Sequence, residues 1–138
     1  MASKPPFSIG LRVYYQDTDA GGVVFHARYL EFMERARTEL IDAAGFDLAK
    51  LAEEQRVMFV VFRIEATYHQ PARLHDRLSV TAEVAKMGRA SVVFRQRVER
   101  GADRLVEADV TLALVDRDSM RPARFPAALA QEFERALK

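Results

Sequence analysis

Apolar and polar residues alternate along much of the chain, which is the period of a β-strand with one buried face. Five stretches follow this pattern, at residues 7–15, 60–68, 77–84, 91–99 and 106–116. The last three are joined by short glycine-containing turns at 87–89 and 101–103. The pattern therefore predicts five strands, of which the last three form an antiparallel meander.

A different period occupies residues 29–44, where apolar side chains recur at steps of three and four. This spacing predicts a long helix with one buried face, ended by Gly45, and Glu31 and Arg35 are placed for a surface ion pair. Asp47 is suited to cap a short second helix as far as about Gln55. A third helix is predicted over residues 126–138 from a narrow apolar stripe.

These elements can bury their apolar faces together if the sheet wraps around the long helix. The expected fold class is α+β, with a five-stranded antiparallel sheet, one long central helix and a short C-terminal helix. Such a sheet has two edge strands with unpaired backbone groups, so we expect two protomers to pair edge to edge.

Composition narrows the class of protein. The 138 residues are 49% hydrophobic, which suits one domain over residues 1–138 with a proper core. A net charge of +1 gives no reason to expect nucleic acid as a partner. The lack of cysteine excludes disulfides and thiolate sites. No apolar run is long enough for a signal peptide or a membrane span, so the expected location is the cytoplasm.

The segment between the first strand and the long helix contains the candidate chemistry. It passes through Asp17 and Asp19, turns at Gly21-Gly22 and presents His26 where the helix begins. The unpaired amides of a helix N-terminus favour a negatively charged oxygen, and a carboxylate lies just upstream. Taken by their spacing alone, these residues are more typical of an ordinary structural turn.

Resemblance to a known protein family favours a functional role for these residues over a purely structural one. The stretch RVYYQDTDAGGVVFHARYLEFMERARTEL resembles the signature of the 4-hydroxybenzoyl-CoA thioesterase family of hotdog-fold enzymes, in its YbgC-type branch of bacterial acyl-CoA thioesterases associated with the Tol-Pal system. The likeness continues through VMFVVFRIEATYHQPARLHDRL and the tail MRPARFP, so it covers nearly the whole chain.

The resemblance implies an acyl-CoA thioesterase that releases a carboxylic acid and coenzyme A. It makes Asp19 the catalytic carboxylate, acting as base or nucleophile, with Asp17 in support. The backbone amide of His26 would polarise the acyl carbonyl, and Arg89 would meet the phosphates of coenzyme A. Apolar residues that suit an acyl pocket are Val60, Val61 and Phe62.

The sequence gives weaker support for other catalytic or metal-binding sites. Glu31 and Glu34 lie on the long helix, where some hotdog enzymes keep their carboxylate, but their positions suit solvation or ion pairing. The serines lack a nucleophile-elbow motif, and the histidines lack metal-ligand spacing, so we expect no metal and no cofactor beyond the substrate's own coenzyme A. Two other functions stay open, a hotdog hydratase and a non-catalytic acyl-carrier or envelope-complex adaptor. The expected partners are acyl-CoA, a second copy in a homodimer or homotetramer, and acyl carrier protein.

Overall fold

The structure is a computed structural model that describes residues 5–137. Its elements run in the order β1 (Phe7–Arg12), a 3₁₀ turn (Tyr15–Asp17), α1 (Arg28–Ala43), α2 (Leu48–Glu54), β2 (Val57–Tyr68), β3 (Arg77–Met87), β4 (Ser91–Arg100), β5 (Asp103–Asp116) and α3 (Ala127–Leu137). The sheet order is β1-β3-β4-β5-β2 and every pairing is antiparallel. The five-stranded sheet and the short C-terminal helix are therefore confirmed.

Helix α1 packs across one face of the sheet, against β1, β3 and β4. Its buried stripe contains Tyr29, Phe32, Met33 and Ala36, which join the valines and leucines of the sheet in one apolar core. Close packing in such a core fixes the position of the helix, and hence of its N-terminus, relative to the strands.

Strand β2 contains a β-bulge that the sequence pattern does not reveal. Val61 lies opposite Leu112, but Arg63 already lies opposite Thr111, so Phe62 is an extra residue in the ladder. The bulge shifts the alternation by one position, so Val61 and Ile64 share the core-side face. The predicted alternation, with Val60 and Phe62 on the buried face, is wrong for this reason.

Three smaller predictions are also wrong. The first strand ends at Arg12, because the chain leaves the sheet and Tyr15 lies 82% exposed in the 3₁₀ turn. The end of α1 extends beyond the core, which leaves Ala43 and Ala44 exposed. Glu31 accepts a hydrogen bond from Arg28 (2.7 Å), one turn before it, instead of pairing with Arg35.

The predicted cap of α2 and the predicted glycine after α1 are both present in the structure. The Asp47 side chain accepts hydrogen bonds from the amides of Ala49 and Lys50, and α1 is followed by Gly45 with a φ of 96°. Within residues 5–137, no helix is both long and apolar enough to cross a membrane.

The two edges of the sheet are β1 and β2. Strand β1 has six residues, and β2 has twelve. Along β2 the side chains of Val61, Phe62, Ile64 and Tyr68 are between 37% and 76% exposed. A long edge with exposed apolar side chains is the kind that pairs with another strand.

Candidate active site

The turn before α1 is held by the buried carboxylate of Asp17, which is 6% exposed. Its Oδ2 accepts a hydrogen bond from the Tyr14 amide (2.9 Å), and its Oδ1 lies 3.6 Å from Nε of Arg28. Its backbone carbonyl accepts from the Phe25 amide (2.9 Å). Asp17 therefore joins the segment before the turn to the segment that leads into the helix.

Asp19 lies in the same turn but is exposed. Its amide donates to the carbonyl of Val23 (2.9 Å), and its Oδ1 accepts from the Gly21 amide (2.8 Å). A Cβ atom on Gly21 would lie 3.2 Å from this Oδ1, so glycine leaves room for the carboxylate. One oxygen of Asp19 is thus fixed, while Oδ2 makes no hydrogen bond with any residue of the range 5–137.

His26 lies two residues before the start of α1. Its side chain is exposed and its ring centroid is 4.5 Å from that of Phe25. In the part of the chain that the structure describes, the backbone amides of His26 and Ala27 have no hydrogen-bond partner. These are the free N–H groups that a helix N-terminus offers to an oxyanion.

Tyr68, at the end of β2, fixes the beginning of the helix. Its hydroxyl donates to the carbonyl of His26 (2.8 Å), and partial burial raises the pKa of this phenol above its ordinary value. Its ring packs edge-on against Tyr29, whose Oη accepts from the Ala72 amide (2.9 Å). The sequence analysis missed Tyr68 because 42 residues separate it from His26 and only the folded sheet brings them together.

A narrow groove of about 100 Å³ runs beside this helix start. It lies between α1 and the strands β2 and β5, and its apolar lining includes Leu30, Met33, Val61 and Ile64. Of the three residues predicted for an acyl pocket, only Val61 lines it. Val60 pairs with Ala113, and Phe62 is 76% exposed at the bulge. Their contact with substrate stays a prediction.

Arg89 lies at the opposite end of the sheet. It is exposed in the β3–β4 turn and lines a groove of about 390 Å³ with Arg124, Phe125 and Glu134. Neither Arg89 nor Arg124 forms an ion pair with a residue in the range 5–137. The sequence analysis did not select Arg124, because nothing in its spacing indicates that the tail returns to this turn.

The structure thus brings Asp17, Asp19 and His26 into one loop but leaves Arg89 far from them. Strand β3 has 11 residues between the two ends, and its ten intervals correspond to about 33 Å at ~3.3 Å per residue. Glu31 and Glu34 are exposed on α1, and Glu31 is paired with Arg28.

The arrangement near Asp19 can polarise a carbonyl and deliver a nucleophile. Free amides at a helix start stabilise the negative oxygen that forms when a thioester carbonyl is attacked. An exposed carboxylate with one free oxygen can take a proton from water or attack the carbonyl itself. Both roles need access to solvent and substrate, and the exposure of Asp19 provides it.

Comparison with known proteins agrees with this chemistry. The chain is 46% identical to an acyl-CoA thioesterase YbgC of Haemophilus influenzae, over 92% of this chain and 93% of that protein. It is 44% identical to an acyl-CoA thioester hydrolase YbgC of Escherichia coli O6:H1, over 90% and 92%. Among solved structures, a probable thioesterase from Bartonella henselae superposes with a TM-score of 0.84 at 35% identity, covering 88% of this chain and all of that one.

The profile described as Thioesterase superfamily matches residues 21–107, which include His26, the long helix and most of the sheet. The fold and the family resemblance expected from the sequence are confirmed. The chain belongs to the thioesterase superfamily, with the hotdog fold and with YbgC proteins among its relatives.

Proposed function

We propose that this protein, as a single hotdog domain over residues 1–138, hydrolyses acyl-CoA thioesters to a carboxylic acid and free coenzyme A. The observation that carries the proposal is that one loop contains both the exposed Asp19 carboxylate and the His26 amide, which has no hydrogen-bond partner among residues 5–137. Relatives at 44–46% identity that are named acyl-CoA thioesterases support it.

In this mechanism the carbonyl oxygen accepts a hydrogen bond from the His26 amide. Asp19 takes a proton from water, which adds to the carbonyl carbon, and the negative oxygen is stabilised by the helix N-terminus. The C–S bond then breaks, and the proton on Asp19 passes to the leaving thiolate. Asp17 acts indirectly, because its bonds to Tyr14 and Arg28 hold the turn that presents Asp19.

Asp19 has a second possible role as the nucleophile. Its free Oδ2 would attack the carbonyl carbon, expel the thiolate and form an anhydride that water then opens. A single turnover in ¹⁸O-labelled water distinguishes the two roles. Label in Asp19, with the released acid unlabelled, supports an anhydride that water opens at the aspartyl carbon, whereas a general base leaves Asp19 unlabelled and puts the label in the acid.

We propose further that the working unit is at least a dimer joined along β2. One protomer presents Asp19 near one end of β3 and Arg89 near the other, and the strand between them is about 33 Å long at ~3.3 Å per residue. Antiparallel pairing of two β2 edges would place the Arg89 end of one sheet beside the Asp19 end of its partner. The groove lined by Arg89 and Arg124 in one protomer would then bind the phosphates of the coenzyme A whose thioester lies at Asp19 of the partner protomer.

A panel of purified acyl-CoA esters, scored by release of free thiol, tests the proposed function. Thiol release that depends on Asp19 supports it, and no release from any ester would favour an adaptor. Water addition to an enoyl-CoA without thiol release would favour a hydratase. Four further predictions stay open to test. Cell fractionation would test the cytoplasmic location, and light scattering would test the tetramer. Binding assays with acyl carrier protein would test that partner, and activity after chelation and dialysis would test the lack of a cofactor.

A further inference from the structure

Helix α1 contains a buried cation that the mechanism does not use. Arg37 is 7% exposed and lines the groove that also contains Val61, Ile64 and Met33. Its Nη1 donates to Oε1 of Gln96 (2.9 Å), a neutral group that is fully buried. Gln96 in turn donates to the carbonyls of Met33 (2.9 Å) and Thr81 (3.1 Å), so its own hydrogen-bonding groups are engaged within the protein.

Among residues 5–137, the charge of Arg37 has no direct counterion. No carboxylate of residues 5–137 lies within ion-pairing distance of it, and the influence of Glu34 is exerted from an exposed position. Burial lowers the pKa of Arg37, with Glu34 acting in the opposite sense. A guanidinium carries five N–H donors, of which one is engaged by Gln96. The nitrogens of Arg37 that Gln96 does not engage are open to solvent, so an acceptor oxygen of a bound chain would replace water there.

The groove begins about one helical turn beyond the proposed reaction centre and leads to this cation. Its first residue on α1, Leu30, lies one turn beyond His26, and α1 runs antiparallel to β2 from Tyr68 towards Val61. From His26 to Arg37 the helix rises about 16 Å at ~1.5 Å per residue. Because a helical side chain leans towards the N-terminus, the guanidinium lies about one turn, or ~5 Å, nearer the reaction centre.

We infer that Arg37 is a specificity-determining residue that favours acyl chains with an oxygen at their far end. This inference rests on the proposed thioesterase function. With the thioester carbonyl at His26, a linear chain would follow the apolar side of this groove, past the exposed Glu31 and Glu34, and its far end would meet the free donors of Arg37. The remaining distance of about 11 Å corresponds to roughly eight methylenes, each advancing ~1.3 Å given carbon–carbon bonds of ~1.5 Å. A terminal hydroxyl and a terminal carboxylate share the required acceptor oxygen.

Three acyl-CoA esters of one chain length test the inference: octanoyl-CoA, ω-hydroxyoctanoyl-CoA and suberoyl-CoA, which end in a methyl, a hydroxyl and a carboxylate. We expect kcat/KM to be about tenfold higher for at least one oxygen-ended ester, as a hydrogen bond to a charged donor would give. A hydroxyl preference would indicate that Glu34 at the rim repels a carboxylate, and a carboxylate preference would indicate that the charge of Arg37 dominates. The same comparison in the hexanoyl and decanoyl series locates the best length.

Arg37→Met keeps an apolar stem but removes the donors, so it should abolish the preference while octanoyl-CoA is still hydrolysed within about threefold of the parent rate. Arg37→Lys keeps the charge and should retain part of the preference. Arg35→Met, which removes an exposed guanidinium from the same helix, is the control and should change neither value.

Equal kcat/KM for the three esters in the parent protein at every length would overturn the inference, whether or not the variants fold. It would leave the proposed function intact, because thiol release from octanoyl-CoA would still occur. A fall in mass by light scattering for Arg37→Met, with the preference unchanged, would also overturn it, since Arg37 would then serve the contact between protomers. No thiol release from any ester would instead contradict the proposed function.

Discussion

The two ends of the sheet hold polar groups in different ways. At the end near Asp19, the carboxylate of Asp17 is buried and accepts from a backbone amide, and Tyr68 holds the start of the helix. At the other end, Arg89 and Arg124 are exposed and form no ion pair with residues 5–137. Hydrogen bonds hold the polar groups at one end, whereas the other end presents long, exposed, charged side chains.

This difference matches the demands of two tasks. A chemical step depends on fixed donors and a fixed carboxylate, because small misplacements cost much of the transition-state stabilisation. Phosphate binding depends mainly on charge, which acts over longer distances and tolerates mobile side chains. Changes at the first end should therefore alter kcat, and changes at the second should alter KM.

The largest effect is expected at Asp19. Asn keeps the size of Asp and can still accept from the Gly21 amide, but it cannot act as a base or as a carboxylate nucleophile. Asp19→Asn should fold normally, bind acyl-CoA and lose at least about a hundredfold in kcat. Asp42→Asn, which changes an exposed aspartate far along α1, is the control. Near-native kcat in Asp19→Asn together with inactive Glu31→Gln or Glu34→Gln would move the catalytic carboxylate to the helix.

The second-largest effect is expected from a substitution that breaks the proposed dimer, because the Asp19 end of one protomer then no longer lies beside the Arg89 end of its partner. Phe62 is 76% exposed at the bulge of β2, so Phe62→Lys should leave the protomer folded but prevent pairing of the edge. We expect light scattering to give the mass of one protomer and kcat/KM to fall about tenfold or more, because Arg89 can then no longer reach the substrate of a neighbour. Ser8→Lys, on the exposed part of β1, is the matched control. A Phe62→Lys monomer with full activity would show that one protomer suffices.

A smaller effect is expected at Asp17. Asp17→Asn removes the charge facing Arg28, while the amide oxygen can still accept from Tyr14. The turn should loosen, which would cost about 1–2 kcal/mol of unfolding free energy and about tenfold in kcat, without a change in KM. Denaturant unfolding and steady-state kinetics measure these quantities. A loss of kcat equal to that of Asp19→Asn would give Asp17 a direct part in the chemistry.

Sequence reasoning was most successful where a period or a contiguous motif carried the information. Alternation predicted the strands, and the three-and-four spacing predicted α1 and its buried Phe32 and Met33. The bulge at Phe62 was not predictable, because one extra residue in an apolar run changes the face of each later side chain without changing the composition. Tyr68 and Arg124 were missed for another reason, since their positions near His26 and Arg89 depend on contacts between distant segments.

The smallest effect is expected at Arg89, at the end of the sheet that we propose binds phosphate. Arg89→Ala should raise KM for acyl-CoA several-fold and leave kcat nearly unchanged, because a phosphate contact stabilises the ground state and the transition state alike. Arg124 lies in the same groove and can compensate in part, so the double change to alanine should raise KM further. The parent KM should rise with salt, and this dependence should weaken in the variants, since exposed charges are screened. Arg135→Ala, at an exposed arginine paired with Glu132 on α3, controls for the loss of a surface charge. Kinetics unchanged in both Arg89→Ala and the double variant would mean that this groove does not bind the phosphates.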